Sequence, residues 1–171
     1  QRYVPLLGGV VALSVKVITI CSSVSELLWL RAHVSAFGPY HTHAALAKLR
    51  KLLEEGNVSL GVKGKHFITA VLERTAALAL AGEFNSHNMA GTLYPAMKLG
   101  VVPSAAAQEA IVGRVEQLVG TSCPMDAAAF MQVLQRWKAP LVPEVDHLLE
   151  QRALGTGGAD GCVLGDRAVK A

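Results

Sequence analysis

Apolar residues recur three and four positions apart along most of the chain after Ser23. This spacing places apolar side chains on one face of a helix, whereas a strand would alternate them. Glycines, prolines and capping residues separate the apolar stretches. We therefore predict no sheet and seven helices, at about residues 23–33, 41–55, 67–80, 86–99, 104–119, 124–137 and 143–154.

The predicted helices form pairs, and the second helix of each pair repeats the apolar positions of the one before. Three positions recur at two fixed shifts: Leu46, Leu49 and Leu52, then Leu93, Ala96 and Leu99, then Met131, Leu134 and Trp137. A single helix pair cannot bury its apolar face, so repeated pairs are expected to stack. The fold class we predict is all-α: a short α-solenoid of antiparallel helix pairs, with about three repeats plus one helix. Six positions should occupy its core: Leu46, Leu49, Leu93, Ala96, Met131 and Leu134.

The two ends of the chain differ from this helical-repeat domain, which we place at residues 21–154. Residues 1–20 are an apolar segment interrupted by Pro5, Gly8 and Lys16, and it falls short of the roughly 20 clean apolar residues that a membrane span needs. We expect a buried or packed segment, with a transmembrane helix as the alternative. Residues 155–171 are rich in glycine and predict a flexible tail.

The composition agrees with helix-on-helix packing and says little about a partner. Hydrophobic residues make up 51% of the 171 residues but aromatic residues only 5%, which favours closely approaching helices with small side chains. The net charge of +3 gives a weak attraction to phosphate. Cys21, Cys123 and Cys162 lie far apart, which argues against a disulfide scaffold and favours a reducing compartment.

Candidate catalytic and metal-binding patterns are weak. His41 and His43 resemble half of a metal site, but no further ligand follows at a suitable spacing. The glycines of residues 155–161 lack the Lys-Ser or Lys-Thr of a phosphate loop. Glu54 and Glu55 are adjacent on a helix and point in different directions. We expect no enzymatic activity, no metal and no cofactor.

Basic residues gather where the second helices end. The candidate phosphate contacts are Lys48, Arg50 and Lys51 in the first unit, Lys63 and Lys65 in the loop after it, and Lys98, Arg136 and Lys138 in later units. Stacked units would align them into a basic ridge. The alternative is that these cations only complement the helix dipole at solvated helix ends. His87 and Asn88 begin a helix, where they could contact a base or a phosphate, although capping of helix amides is the commoner role.

The stretch Phe84–Gly100 resembles the helix signature of octotricopeptide-like and FAST-kinase-like (RAP-type) repeat proteins. It has a Phe-Asn start, an Ala-x-x-Leu step and an Ala-x-Lys-Leu-Gly end. Ile18–Leu53 is similar to the opening repeat of those proteins, with a Ser-rich cap, a Glu-Leu-Leu helix and a Phe before a Leu-rich helix.

This resemblance implies an organellar protein, mitochondrial or alternatively plastid, that acts on RNA. We expect a structural subunit that binds ribosomal RNA beside neighbouring proteins in a mitochondrial ribosome, or a protein that stabilises or processes organellar transcripts. The alternative is a protein–protein scaffold subunit of an organellar complex that binds no RNA. A continuous basic ridge favours RNA, whereas scattered cations favour the scaffold.

Overall fold

Eight α-helices make up most of residues 14–155, the part of the chain that the structure, a computed structural model, describes. They are α1 Val15–Ile20, α2 Val24–Trp29, α3 Pro39–Glu55, α4 Val62–Leu80, α5 Ser86–Lys98, α6 Ala105–Leu118, α7 Pro124–Trp137 and α8 Pro143–Ala153. Short 3-10 helices, Leu30–Ala36 and Val119–Thr121, extend α2 and α6. The described residues include no strand. The all-α prediction and its seven helices are confirmed, and α1 is an additional helix.

Side chains placed just before several helices satisfy the first free amides. Ser23 Oγ accepts a hydrogen bond from Glu26 N at 3.2 Å, and Asn85 Oδ1 accepts one from Asn88 N at 2.8 Å. The carboxylate of Glu26 in turn accepts a hydrogen bond from Ser22 N at 2.7 Å, which satisfies the amide of the residue before Ser23. These bonds to Ser22 stabilise the ionised form and hold the pKa of the Glu26 carboxyl below its ordinary value.

The helices lie in two layers. α1, α3, α5 and α7 pack side by side in one layer, α2, α4 and α6 follow one another in the other, and α8 packs on α7. The array is solenoid-like, and α1 takes the place of a second helix before the first complete pair. Ile18 of α1 is fully buried, as expected for a packed N-terminal segment. The rest of that predicted segment, residues 1–13, and the predicted tail beyond Gly155 lie outside the described residues.

The predicted repeat register is confirmed by burial. Leu46, Leu49, Leu93 and Ala96 are fully buried, Leu134 is 1% exposed, and Met131 is half-buried. Met131 lies on α7, which has α8 rather than another helix of its own layer on its far side in the described chain. No helix within residues 14–155 is long and apolar enough to cross a membrane.

A recurring arginine joins each pair of helices to the next. One arginine of α4, α6 and α8 donates to backbone carbonyls in the turn before the preceding second helix: Arg74 to Phe37 O, Arg114 to Gly82 O and Phe84 O, and Arg152 to Gly120 O. We call these contacts the arginine clasp. The distances include 2.7 Å for Arg74 and 2.8 Å for Arg152. A guanidinium satisfies carbonyls that have no helical partner, so each clasp ties one unit to its neighbour.

We expect Arg114→Gln to lower the free energy of unfolding by about 2 kcal/mol, because two carbonyl contacts to a charged donor are lost. Urea denaturation followed by circular dichroism measures the change. Arg136→Gln, at an exposed position on α7, is the control and should change stability by less than about 0.5 kcal/mol. Equal stability of the two variants would contradict a clasp that holds units together.

Candidate nucleic-acid interface

The second helices point in the same direction, which brings equivalent ends to one edge. Near their N-termini the ring centroids of His43 on α3 and His87 on α5 lie 5.9 Å apart, and His87 Nδ1 lies 3.6 Å from Asp126 Oδ1 on α7. Because the N-terminal parts of α3, α5 and α7 meet and these helices pack side by side, the three helices are parallel. Their C-termini therefore lie together at the opposite edge.

Three cations occupy one repeat position at that C-terminal edge. Lys51, Lys98 and Arg136 are related by the same two shifts that relate Leu46 to Leu93 and Met131, and all three are exposed. We call Lys51, Lys98 and Arg136 the cation row. The structure thus brings together one member of the predicted basic ridge from each unit.

Neighbouring groups leave the cation row accessible. Lys51 Nζ lies 3.6 Å from Glu55 Oε1, and Lys98 Nζ lies 5.2 Å from the centroid of the Tyr94 ring. Ion pairs between exposed side chains contribute little free energy, so a phosphate can compete with Glu55 for Lys51. The row can hold anions along its edge.

The other predicted cations have different surroundings. Arg50 pairs with Glu54 at 3.3 Å, and Lys138 is exposed just after Arg136, in the left-handed conformation that ends α7. Lys48 Nζ donates to Thr19 O at 3.0 Å, so Lys48 bridges α1 and α3 instead of joining the row. Arg50 and Lys138 therefore flank the row.

Lys63 and Lys65 lie in the first turn of α4, which corrects their placement in a loop. The two glycines suggested a loop, but Gly64 is a buried helical residue, and the side chain of Leu60 occupies the space where a Cβ atom would stand. Both lysines are exposed, and they belong to the layer of first helices. They add positive charge beside the C-terminus of α3 without entering the cation row.

His87 and Asn88 differ in accessibility. The His87 side chain is 73% exposed, so it can still contact a base. Asn88 is 4% exposed and shares a side-chain hydrogen bond with His43. The prediction that Asn88 contacts RNA is wrong, because this position in the first turn of α5 faces α3.

His43 fills a notch that Gly91 creates between α3 and α5. A Cβ atom at Gly91 would stand 2.6 Å from the His43 ring, so only glycine permits this approach. Burial, and secondarily the charge of His87, lower the pKa of His43 below its ordinary value of 6.5, while the Asn88 hydrogen bond opposes them. His43 is therefore mainly uncharged at neutral pH and adds no positive charge to this edge.

A groove of about 440 Å³ lies between α1 and α3, and no sequence pattern pointed to it directly. Its lining is Val15, Tyr40, His43, Ala44 and Ala47. Tyr40 is 64% exposed. The repeat shift that relates Lys51 to Lys98 also relates Tyr40 to His87, so aligning the two helices could have singled out Tyr40.

One outward stripe of each second helix connects these features. The equivalent positions are Tyr40, Ala44, Ala47 and Lys51 on α3, then His87, Gly91, Tyr94 and Lys98 on α5, then Met125, Ala129, Gln132 and Arg136 on α7. None of these residues is buried. We call this surface the outer face. It ends at the cation row.

The remaining candidate chemistry is sparse in the described residues. His, Cys, Asp and Glu side chains within residues 14–155 form no group of three that could hold a metal ion. Burial, aided by the charge of Glu26, raises the pKa of the Cys21 thiol, which disfavours the reactive thiolate.

Comparisons with known proteins found no match, so the fold alone defines the class of this protein. No family model matches the chain, no curated protein matches its sequence, and no solved structure matches it. The structure defines an all-α protein with a solenoid-like stack of helix pairs. The resemblance of Phe84–Gly100 to octotricopeptide-like repeats stays a prediction.

We expect Gly91→Ala to destabilise the protein by about 1 to 3 kcal/mol, because the new methyl group overlaps the His43 ring. Gly113→Ala is the matched control, since it lies in α6 with open space around it. It should stabilise the protein by up to about 1 kcal/mol through helix propensity. Urea denaturation distinguishes the two, and stabilisation by Gly91→Ala would contradict the close approach of α3 and α5.

Acidification should destabilise the protein through His43. Because the pKa of His43 is lowered on folding, the unfolded chain binds its proton first, and the free energy of unfolding falls as the pH drops below 6.5. His43→Gln should flatten this part of the pH profile, with the remaining histidines common to both proteins. Identical profiles of wild type and variant in urea denaturation at several pH values would show that His43 titrates freely.

Proposed function

We propose that this protein binds RNA through the C-terminal edge of its second helices, where the cation row contacts phosphates. The observation that carries the proposal is the placement of Lys51, Lys98 and Arg136 at one exposed repeat position. Packed helices are about 8–10 Å apart, so the row extends over about 20 Å. That length fits successive phosphates of an RNA backbone better than a single small anion.

The surroundings of the row support RNA as the partner. Arg50 and Lys138 flank it, and Lys63 and Lys65 add charge at the same edge from the other layer. Contacts to phosphates position a protein without reading sequence. A short array with such an edge is suited to bracing RNA within a larger assembly.

For the cellular role we propose an organellar protein, mitochondrial or alternatively plastid, that binds ribosomal RNA as a structural subunit or stabilises transcripts. The resemblance of Phe84–Gly100 to octotricopeptide-like repeats supports this role. The second candidate is a scaffold subunit that binds proteins only. It is favoured by the exposure of Trp29 and Leu80, at 84% and 78%, since large exposed apolar side chains often mark protein contacts.

Salt dependence of RNA affinity tests the proposed function. Each lost phosphate contact reduces the slope of log affinity against log salt by about 0.7 for a single strand. Replacing Lys51, Lys98 and Arg136 together by Gln should therefore reduce the slope by about 2 and weaken binding of unrelated RNAs to similar extents. Fluorescence anisotropy with an oligouridine measures both quantities.

The matched control is Arg31→Gln, compared with the single variant Lys98→Gln. Each removes one charge from an exposed position, but Arg31 lies outside the second helices, so its replacement should retain most of the affinity and of the slope. Equal losses in these two variants would show that net charge, not the row, attracts RNA. Absence of binding by the wild type would favour the scaffold.

A further inference from the structure

The groove between α1 and α3 lies on the outer face but takes no part in the phosphate contacts proposed for the cation row. Its lining is apolar apart from the edges of Tyr40 and His43. Small side chains at Ala44 and Ala47 leave the space open, and the groove has no carboxylate among the residues that line it. A surface of this kind suits a flat, uncharged ring.

We propose that this groove receives one unpaired base of the bound RNA, which stacks on Tyr40. The inference rests on the proposed function and adds a base contact to its phosphate contacts. Aromatic side chains hold unpaired bases by stacking, and every base has a face that can stack. Tyr40 is 64% exposed and lines the groove, so its ring is available to a base that enters there.

The charges around the groove complement a nucleotide and its backbone. Lys48 lies just beyond Ala44 and Ala47, with its ammonium on Thr19 O at the end of α1. Lys51 continues the stripe of Tyr40, Ala44 and Ala47 along α3. When the base of a nucleotide occupies the groove, its phosphate therefore lies beside Lys48 and Lys51, and Lys51 is a member of the cation row.

In the next unit, the equivalent space between α3 and α5 is already filled by a side chain of the protein. Gly91 takes the position of Ala44, and the ring of His43 occupies the space over it. The neighbouring ring of His87 stands edge-on to His43 at 5.9 Å. The site thus takes one base at the first unit and is not repeated between α3 and α5.

Two probes of equal length and charge separate the base contact from the phosphate contacts: an oligouridine and an abasic ribose-phosphate oligomer. The full chain with Tyr40→Ala should bind the oligouridine at least about five-fold more weakly than wild type, which corresponds to the loss of one stacked base. Its affinity for the abasic oligomer should not change. Tyr40→Phe keeps the ring and should retain both affinities.

Further variants keep the test independent of folding. Ala44→Leu fills the groove without changing charge or removing Tyr40, and it should reproduce the selective loss. Trp29→Ala removes an exposed aromatic residue outside the groove and should have no effect. Circular dichroism confirms that each variant has the helix content of wild type.

The outcomes distinguish the two proposals. If wild type binds both oligomers equally, with a salt slope that the triple variant reduces, the cation row stands and the base site is overturned. The base site is also overturned if Tyr40→Ala changes neither affinity. If wild type binds neither oligomer, RNA binding and the base site fail together.

Discussion

The parallel packing of α3, α5 and α7 is the constraint on which the outer face depends. Parallel neighbours align their dipoles, which is mildly unfavourable, and burial of residues such as Leu46 and Leu93 offsets the cost. The same packing gathers the free carbonyls of three helix ends at one edge. Lys98 and Arg136, in the last turns of α5 and α7, face that partial negative charge. Lys98 and Arg136 therefore complement the partial charge of the helix ends beside which they lie.

The two edges of this layer differ in chemistry for the same reason. At the N-terminal edge, planar groups dominate, including Tyr40, His43 and His87, and the lowered pKa of His43 makes it a neutral group near pH 7. At the other edge the cation row is exposed, with Glu55 beside Lys51. The outer face therefore carries a ring at the N-terminal end of α3 and of α5, whereas Met125 takes that position on α7.

Helices and core positions could be predicted because apolar spacing is a local property of each helix. Contacts between residues that lie far apart in the sequence could not be predicted in this way. Lys48 looked like part of the ridge, but its partner Thr19 lies on a helix hidden in an apolar segment. Asn88 looked exposed in a first turn, yet helix spacing alone does not say which side of that turn meets α3. The groove at Tyr40 needs α1 as its second wall, so no pattern within α3 alone predicts it.

The arginine clasp has a consequence for how such repeats diverge. Its acceptors are main-chain oxygens, which are present whatever side chain follows them. Mutations in the turns therefore change Phe37, Gly82 or Gly120 without removing the acceptor. In the first helices, the contact with the turn then requires one basic residue, and packing requires only the apolar spacing. Units built in this way can drift in sequence until little else relates them, and α4, α6 and α8 share little beyond that arginine and their buried faces.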